Sequence, residues 1–121
     1  MAKILTVDDS AFMRRIIKTT LVKAGYAEIY EAADGIQALE KYNQLKPDLV
    51  LMDITMPNMN GLEALKAIRA ADAGANVVMC TAMGQEPMVI EAIRSGAKDF
   101  IVKPFQSERI LKMVDSIIGK P

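Results

Sequence analysis

Five residues from four separated stretches carry the chemistry this chain can do: Asp8, Asp9, Asp53, Thr81 and Lys103. Each stands where a short apolar run stops. Residues 4–7 end at Asp8-Asp9-Ser10, residues 48–52 at Asp53, residues 77–80 at Thr81, and residues 100–102 at Lys103-Pro104-Phe105. A charged group at the end of a buried strand is costly unless something there uses it. Three carboxylates brought together repel one another unless a cation lies among them, and an all-oxygen set suits a hard ion that keeps several waters, such as Mg²⁺. Given that ion, Asp53 is placed to act as a nucleophile and hold a phosphoryl group as an acyl phosphate. Lys103 would offset charge on the transferring oxygens, and the Thr81 hydroxyl would hydrogen-bond one of them.

Plainer roles compete for each residue. Asp8 and Asp9 can cap a helix together with Ser10, although one such side chain suffices. A lone lysine is usually a solvated charge, and the case for Thr81 rests on position alone. No single pair is specific; the five together are.

What is missing narrows the chemistry further. The chain has no histidine, which excludes Ser-His-Asp triads, Cys-His pairs and His-ligated zinc. A phosphohistidine donor would therefore belong to another protein. Fifteen basic residues balance fifteen acidic ones, so nothing favours nucleic acid or an anionic membrane as a partner. The single cysteine, Cys80, rules out an internal disulfide and fits a reducing compartment. The start of the chain lacks the apolar region of a signal peptide and no run is long enough to span a membrane, so the expected location is cytoplasmic.

The elements that must position these residues can be read from periodicity. At 121 residues, 51% of them apolar, the chain reads as one domain over residues 1–121, with no linker or repeat. After the first strand, Ser10 caps a helix on which Phe12, Met13, Ile16, Ile17, Leu21 and Ala24 recur at helical spacing, closed by Gly25. Residues 28–32 form a more polar strand, expected at a sheet edge. Asp34-Gly35 opens a second helix, with Ala38, Leu39, Tyr42 and Leu45 inward and Pro47 ending it. The third strand is apolar on both faces, as a central parallel strand should be. Asn60 caps a third helix that buries Leu62, Leu65 and Ile68 and is broken by Gly74. Pro87 suits the first turn of a fourth helix, running to Ser95-Gly96. A last helix sets Ile110, Leu111, Val114, Ile117 and Ile118 on one face and finishes at Gly119. Alternation of this kind gives an α/β, doubly wound, five-stranded parallel sheet with five helices. Ligands of such folds bind beyond the carboxyl ends of the strands, where the five residues lie.

At this point the chain resembles, over essentially its full length, a response-regulator receiver domain of two-component signalling. The resemblance is carried by Val7-Asp8-Asp9-Ser10, by Met52-Asp53-Ile54-Thr55-Met56-Pro57 with Gly61, by Cys80-Thr81-Ala82, by Gly96-Ala97-Lys98-Asp99-Phe100 and by Lys103-Pro104-Phe105. It implies the flavodoxin-like strand order 2-1-3-4-5. It also implies that a sensor histidine kinase phosphorylates Asp53, and that Asp8, Asp9, Asp53 and the backbone carbonyl of Thr55 ligate Mg²⁺. Thr81 and Lys103 would hold the phosphoryl oxygens, and Lys103–Pro104 is expected to be cis. Thr81 drawn toward the phosphoryl group would let Phe100 turn inward, a local charge event biasing a two-state element. Phe100 takes the place of a tyrosine and lacks its hydroxyl contact. Thr55 and Met83 occupy positions that vary across the family, and neither is an acid or amide that would orient an attacking water.

The chain ends one helix after Lys103, so the expected output is binding by a monomer, not an enzymatic reaction on a separate substrate. Met88-Val89-Ile90 cannot share one helical stripe, because consecutive residues point about 100° apart; at least one faces outward. A docking face built from the fourth helix, Phe100 and the last helix is the sharper reading of that. Met56, Met59, Met83 and Met88 lie near the rim as adaptable groups, though core filling explains most of the nine methionines. The runs 9–14 and 81–85 are most similar to chemotaxis receivers, which implies a flagellar motor switch protein as partner, and a phosphatase as another. The alternative is a phosphorelay intermediate or phosphate sink. A flavodoxin-type cofactor binder would need a Ser/Thr/Gly-rich phosphate loop after the first strand, and an aspartate-nucleophile phosphatase would need its acids spaced D-x-D.

Overall fold

The computed structural model describes residues 2–104 and 106–121. Phe105, the end of the Lys103-Pro104-Phe105 motif, lies outside the described residues. Five short strands, β1 (Lys3–Val7), β2 (Glu28–Ala32), β3 (Leu49–Asp53), β4 (Val77–Thr81) and β5 (Asp99–Val102), alternate with five helices. The helices are α1 (Ala11–Lys23), α2 (Gly35–Leu45), α3 (Gly61–Ala71), α4 (Glu86–Arg94) and α5 (Ser107–Ile118). Every strand pair is parallel and the order is β2-β1-β3-β4-β5, as the resemblance implies.

Two cores lie on opposite faces of the sheet, and strand alternation assigns residues to them. On β3, Val50 and Met52 join the core under α2, α3 and α4, while Leu49 and Leu51 join the one under α1 and α5. On β4, Val77 and Met79 pair with the first core, Val78 and Cys80 with the second. All five residues of β3 and of β4 are buried, which is why both read as continuous apolar runs without a polar face. β2 pairs with β1 alone and carries the more polar pattern expected of an edge.

Helix caps follow the residues read as caps. Ser10 accepts from the Met13 N–H, Asp34 from Gln37, and Asn60 and Glu63 form a reciprocal capping box at the start of α3. Two inward assignments on α1 do not hold. Phe12 is 70% exposed and Ile16 is 38% exposed, whereas Ile17 and Leu21 reach the core. Ile16 and Ile17 point about 100° apart; Ile17 takes the sheet side, and Ile16 takes the outer side with Phe12, one turn before it. On α4, Val89 is buried and Ile90 is 54% exposed, so the apolar triplet does turn a hydrophobe outward. On α5, Met113 is buried beside Ile110 and Val114, a core residue the periodic reading passed over. Among the described residues, no helix is long and apolar enough to cross a membrane.

Candidate functional site

The C-terminal ends of β1, β3, β4 and β5 set the acidic, hydroxyl and ammonium groups on one rim, and the neighbouring backbone fixes where each points. Asp8 follows β1 and is 2% exposed. One of its oxygens, Oδ1, accepts from the Ser10 N–H at 2.9 Å, so the capping role and the site role coexist in one carboxylate. Its other oxygen, Oδ2, accepts from Lys103 Nζ at 2.8 Å. Lys103 Nζ also lies 3.3 Å from Asp53 Oδ1. The lysine is held from both ends, since its backbone N–H donates to the Thr81 carbonyl at 2.6 Å. Lys103–Pro104 is cis, as expected.

Asp53 closes β3 in register with Cys80 of β4. Gly61, the first residue of α3, sits against its carbonyl: a Cβ there would stand 2.0 Å from the Asp53 oxygen. The Gly61 N–H donates to the Ile54 carbonyl at 2.8 Å. Glycine is therefore required by contact with the strand end that presents the Asp53 carboxylate, which is the physical content of the Asp53…Gly61 spacing.

Electrostatics at the rim are set by burial and charge crowding. Burial pushes the Asp53 carboxyl above the ordinary carboxylate range; Lys103 opposes this, and Asp8 and Asp9 reinforce it. For Lys103, burial works to lower the pKa, but the bonds to Asp8 and Asp53 outweigh it and raise the net value. The ammonium is thus fully charged at neutral pH. Cys80 lies nearby, and burial pushes its thiol up to about 12, which leaves it inert. Asp8, Asp9 and Asp53 each offer a carboxylate oxygen within 4.8 Å of the others. That oxygen-only set fits a hard divalent cation and is a poor match to zinc or copper.

The Thr81 hydroxyl has partners of its own on the loop after β4. Thr81 is buried, and its Oγ1 donates to Gln85 Oε1 at 2.8 Å, with the Ala82 carbonyl at 3.2 Å. Among the described residues this hydroxyl makes no bond to Asp53 or to Lys103. Thr55 stands two residues past Asp53, exposed, and its hydroxyl accepts from Gln85 Nε2 at 2.6 Å. Phe100 is 37% exposed on β5, facing an apolar groove of about 670 Å³ shared with Met83, Val89, Ile90 and Ile93.

Two contributors went unread in the sequence. Arg14 donates to the Asp8 carbonyl and pairs with Glu31 at 3.0 Å, tying the acidic turn to β2. Gln85 joins Thr81, Ala82 and Thr55. Both stand at the ends of the runs 9–14 and 81–85, yet nothing there marks a role for them, because a polar residue near a helix start reads as an ordinary surface or cap residue.

Comparisons with known proteins agree with this geometry. Residues 4–115 match the response regulator receiver domain family. The chain is 57% identical to the chemotaxis protein CheY of Bacillus subtilis over 117 residues, covering 97% of this chain and 98% of that protein. It is 54% identical to CheY of Thermotoga maritima over 115 residues, covering 95% and 96%. Among solved structures it superposes on the CheX–CheY–BeF3–Mg complex of Borrelia burgdorferi with a TM-score of 0.91 and 38% identity, over 98% of this chain and 90% of that one.

Proposed function

The chain belongs to the response regulator receiver domain family, and from that premise we propose that Asp53 is its phosphoryl acceptor, Thr81 and Lys103 the groups that hold the phosphoryl oxygens, and a flagellar motor switch protein its target. It is a phosphorylation-dependent signalling switch of the chemotaxis type. The observation that carries the site assignment is the Lys103 ammonium bridging Asp8 and Asp53 at 2.8 and 3.3 Å.

In this mechanism an Asp53 carboxylate oxygen attacks the phosphorus of a phosphohistidine on a sensor kinase. The P–N bond breaks as the new P–O bond forms. Lys103 follows the growing charge, because its ammonium lies 3.3 Å from Asp53 Oδ1 and can turn from the carboxylate to the oxygens bound to it. Asp8 keeps the lysine oriented while that happens. Mg²⁺, held by Asp8, Asp9, Asp53 and the Thr55 carbonyl, would supply further charge neutralisation at the phosphoryl oxygens. The protein promotes only its own phosphoryl transfer and loss and turns over no separate substrate. A cytoplasmic site of action goes with a kinase donor and a motor target, and CheX, which binds CheY in the Borrelia complex, exemplifies a second kind of partner.

The output surface is the groove between α4 and β5; the last helix, α5, expected to share it, contributes none of its lining among the described residues. Among the described residues Ile90, Ile93 and Phe100 are exposed there, and Met83 at its edge is 84% exposed. Apolar groups concentrated beside the switch residues are what a regulated docking face needs.

Motor-switch protein immobilised on a surface, with and without beryllofluoride and Mg²⁺ added to the chain, tests the reading. Binding should strengthen with the analogue and lose that response in Asp53→Ala. Analogue-independent binding contradicts it. Analogue uptake with no binding in either state would favour a relay intermediate or phosphate sink.

A further inference from the structure

Gln85 touches three groups at the rim through one side-chain amide. Its Oε1 accepts from the Thr81 hydroxyl at 2.8 Å and from the Ala82 N–H at 2.7 Å, and its Nε2 donates to Thr55 Oγ1 at 2.6 Å. The Ala82 N–H fixes which way the amide faces. Turned over, it would set two N–H donors against each other. The residue also occupies the N-cap position of α4 without making a side-chain cap to that helix, so its hydrogen-bonding capacity is spent on the rim.

We propose that Gln85 is the positioning residue that sets the switch threshold, by holding the one proton of the Thr81 hydroxyl until a phosphoryl oxygen on Asp53 displaces it. This rests on the assignment of Asp53 and Thr81 made above. A threonine hydroxyl donates once. While its proton points to Gln85 Oε1 it is withheld from any oxygen bound to Asp53, and phosphorylation must exchange one hydrogen bond for the other. Gln85 also spans from the loop after β4 to the loop after β3, so the exchange slackens a tie across the mouth of the site. That tie ends at the first turn of α4, the helix that carries Val89, Ile90 and Ile93 into the groove. Gln85 thereby couples occupancy of the site to the docking face.

The test is the affinity of the full chain for beryllofluoride in the presence of Mg²⁺, followed by backbone amide NMR shifts. Gln85→Met keeps the length of the side chain and removes all three bonds. Removing the nearer of the two neutral acceptors of the Thr81 hydroxyl, with the Ala82 carbonyl at 3.2 Å left in place, should tighten analogue binding about two- to tenfold. The same substitution in a Thr81→Ala background should change nothing, because the competitor then has no proton to hold. Thr55→Val releases only the Nε2 end and should give a smaller gain of the same sign; if Gln85→Met fails to fold, this variant carries the test. Unchanged or weaker binding, or an equal gain without Thr81, overturns the proposal while wild-type binding stands. Absence of wild-type binding would instead overturn the site assignment and this inference with it.

Discussion

At the scale of single residues the site is a compromise between burial and charge, and Asp53 bears the cost. Its carboxyl is raised by burial first and by Asp8 and Asp9 in addition, with Lys103 opposing. The sign follows directly. A raised value means that folding favours the protonated carboxyl, so its contribution is fullest below the ordinary carboxylate range and is lost as pH rises through the raised value. With chelator present, Asp53→Asn should melt above wild type at neutral pH, with the gap closing as the solution is acidified. A gap constant across that range would contradict the assignment of the charge penalty to Asp53. The acids, the threonine and the lysine were legible in the sequence because each interrupts an apolar run at a strand end. Arg14 and Gln85 were not, since what makes them matter is which backbone and side-chain groups they reach across the fold, and no local pattern records that.

At the scale of elements, strand ends and helix starts do the positioning. Gly61 allows α3 to begin directly on the Asp53 carbonyl, where a Cβ would stand 2.0 Å from the oxygen. Gly61→Ala should lower stability by at least the about 1–3 kcal/mol of an overpacked site, read from urea unfolding. It should also weaken analogue binding, because the overlap is relieved by moving the strand end that carries Asp53. Stability lost with analogue affinity intact would show that α3, not β3, gives way. Element types and order could be read from periodicity, Ser10, Asp34 and Asn60 marking helix starts and Gly25 and Pro47 marking ends. Helix facing was the weaker reading. Phe12 and Ile16 are apolar yet exposed, because composition alone cannot say which of two adjacent hydrophobes meets the sheet.

At the scale of the whole molecule, the parallel order β2-β1-β3-β4-β5 brings Asp8, Asp53, Thr81 and Lys103 from positions up to 95 residues apart to one rim. The order itself came from family resemblance, since alternating strands and helices are compatible with several sheet orders. The same topology places the α4–β5 groove beside Thr81, so the rim and the proposed docking face share a wall. Ile90 is 54% exposed in that groove and takes no part in the rim. Ile90→Glu should leave phosphoryl uptake from a small donor unchanged and abolish analogue-dependent partner binding in the surface assay. Loss of both would mean that the groove supports the site structurally. The central claim is that Asp53 itself becomes the acyl phosphate. Incubating the protein with a small phosphodonor and Mg²⁺, reducing with borohydride and mapping the peptides should convert residue 53 alone to homoserine, and chelator should prevent the conversion. Homoserine at another aspartate, or labelling undiminished in Asp53→Ala, would contradict it.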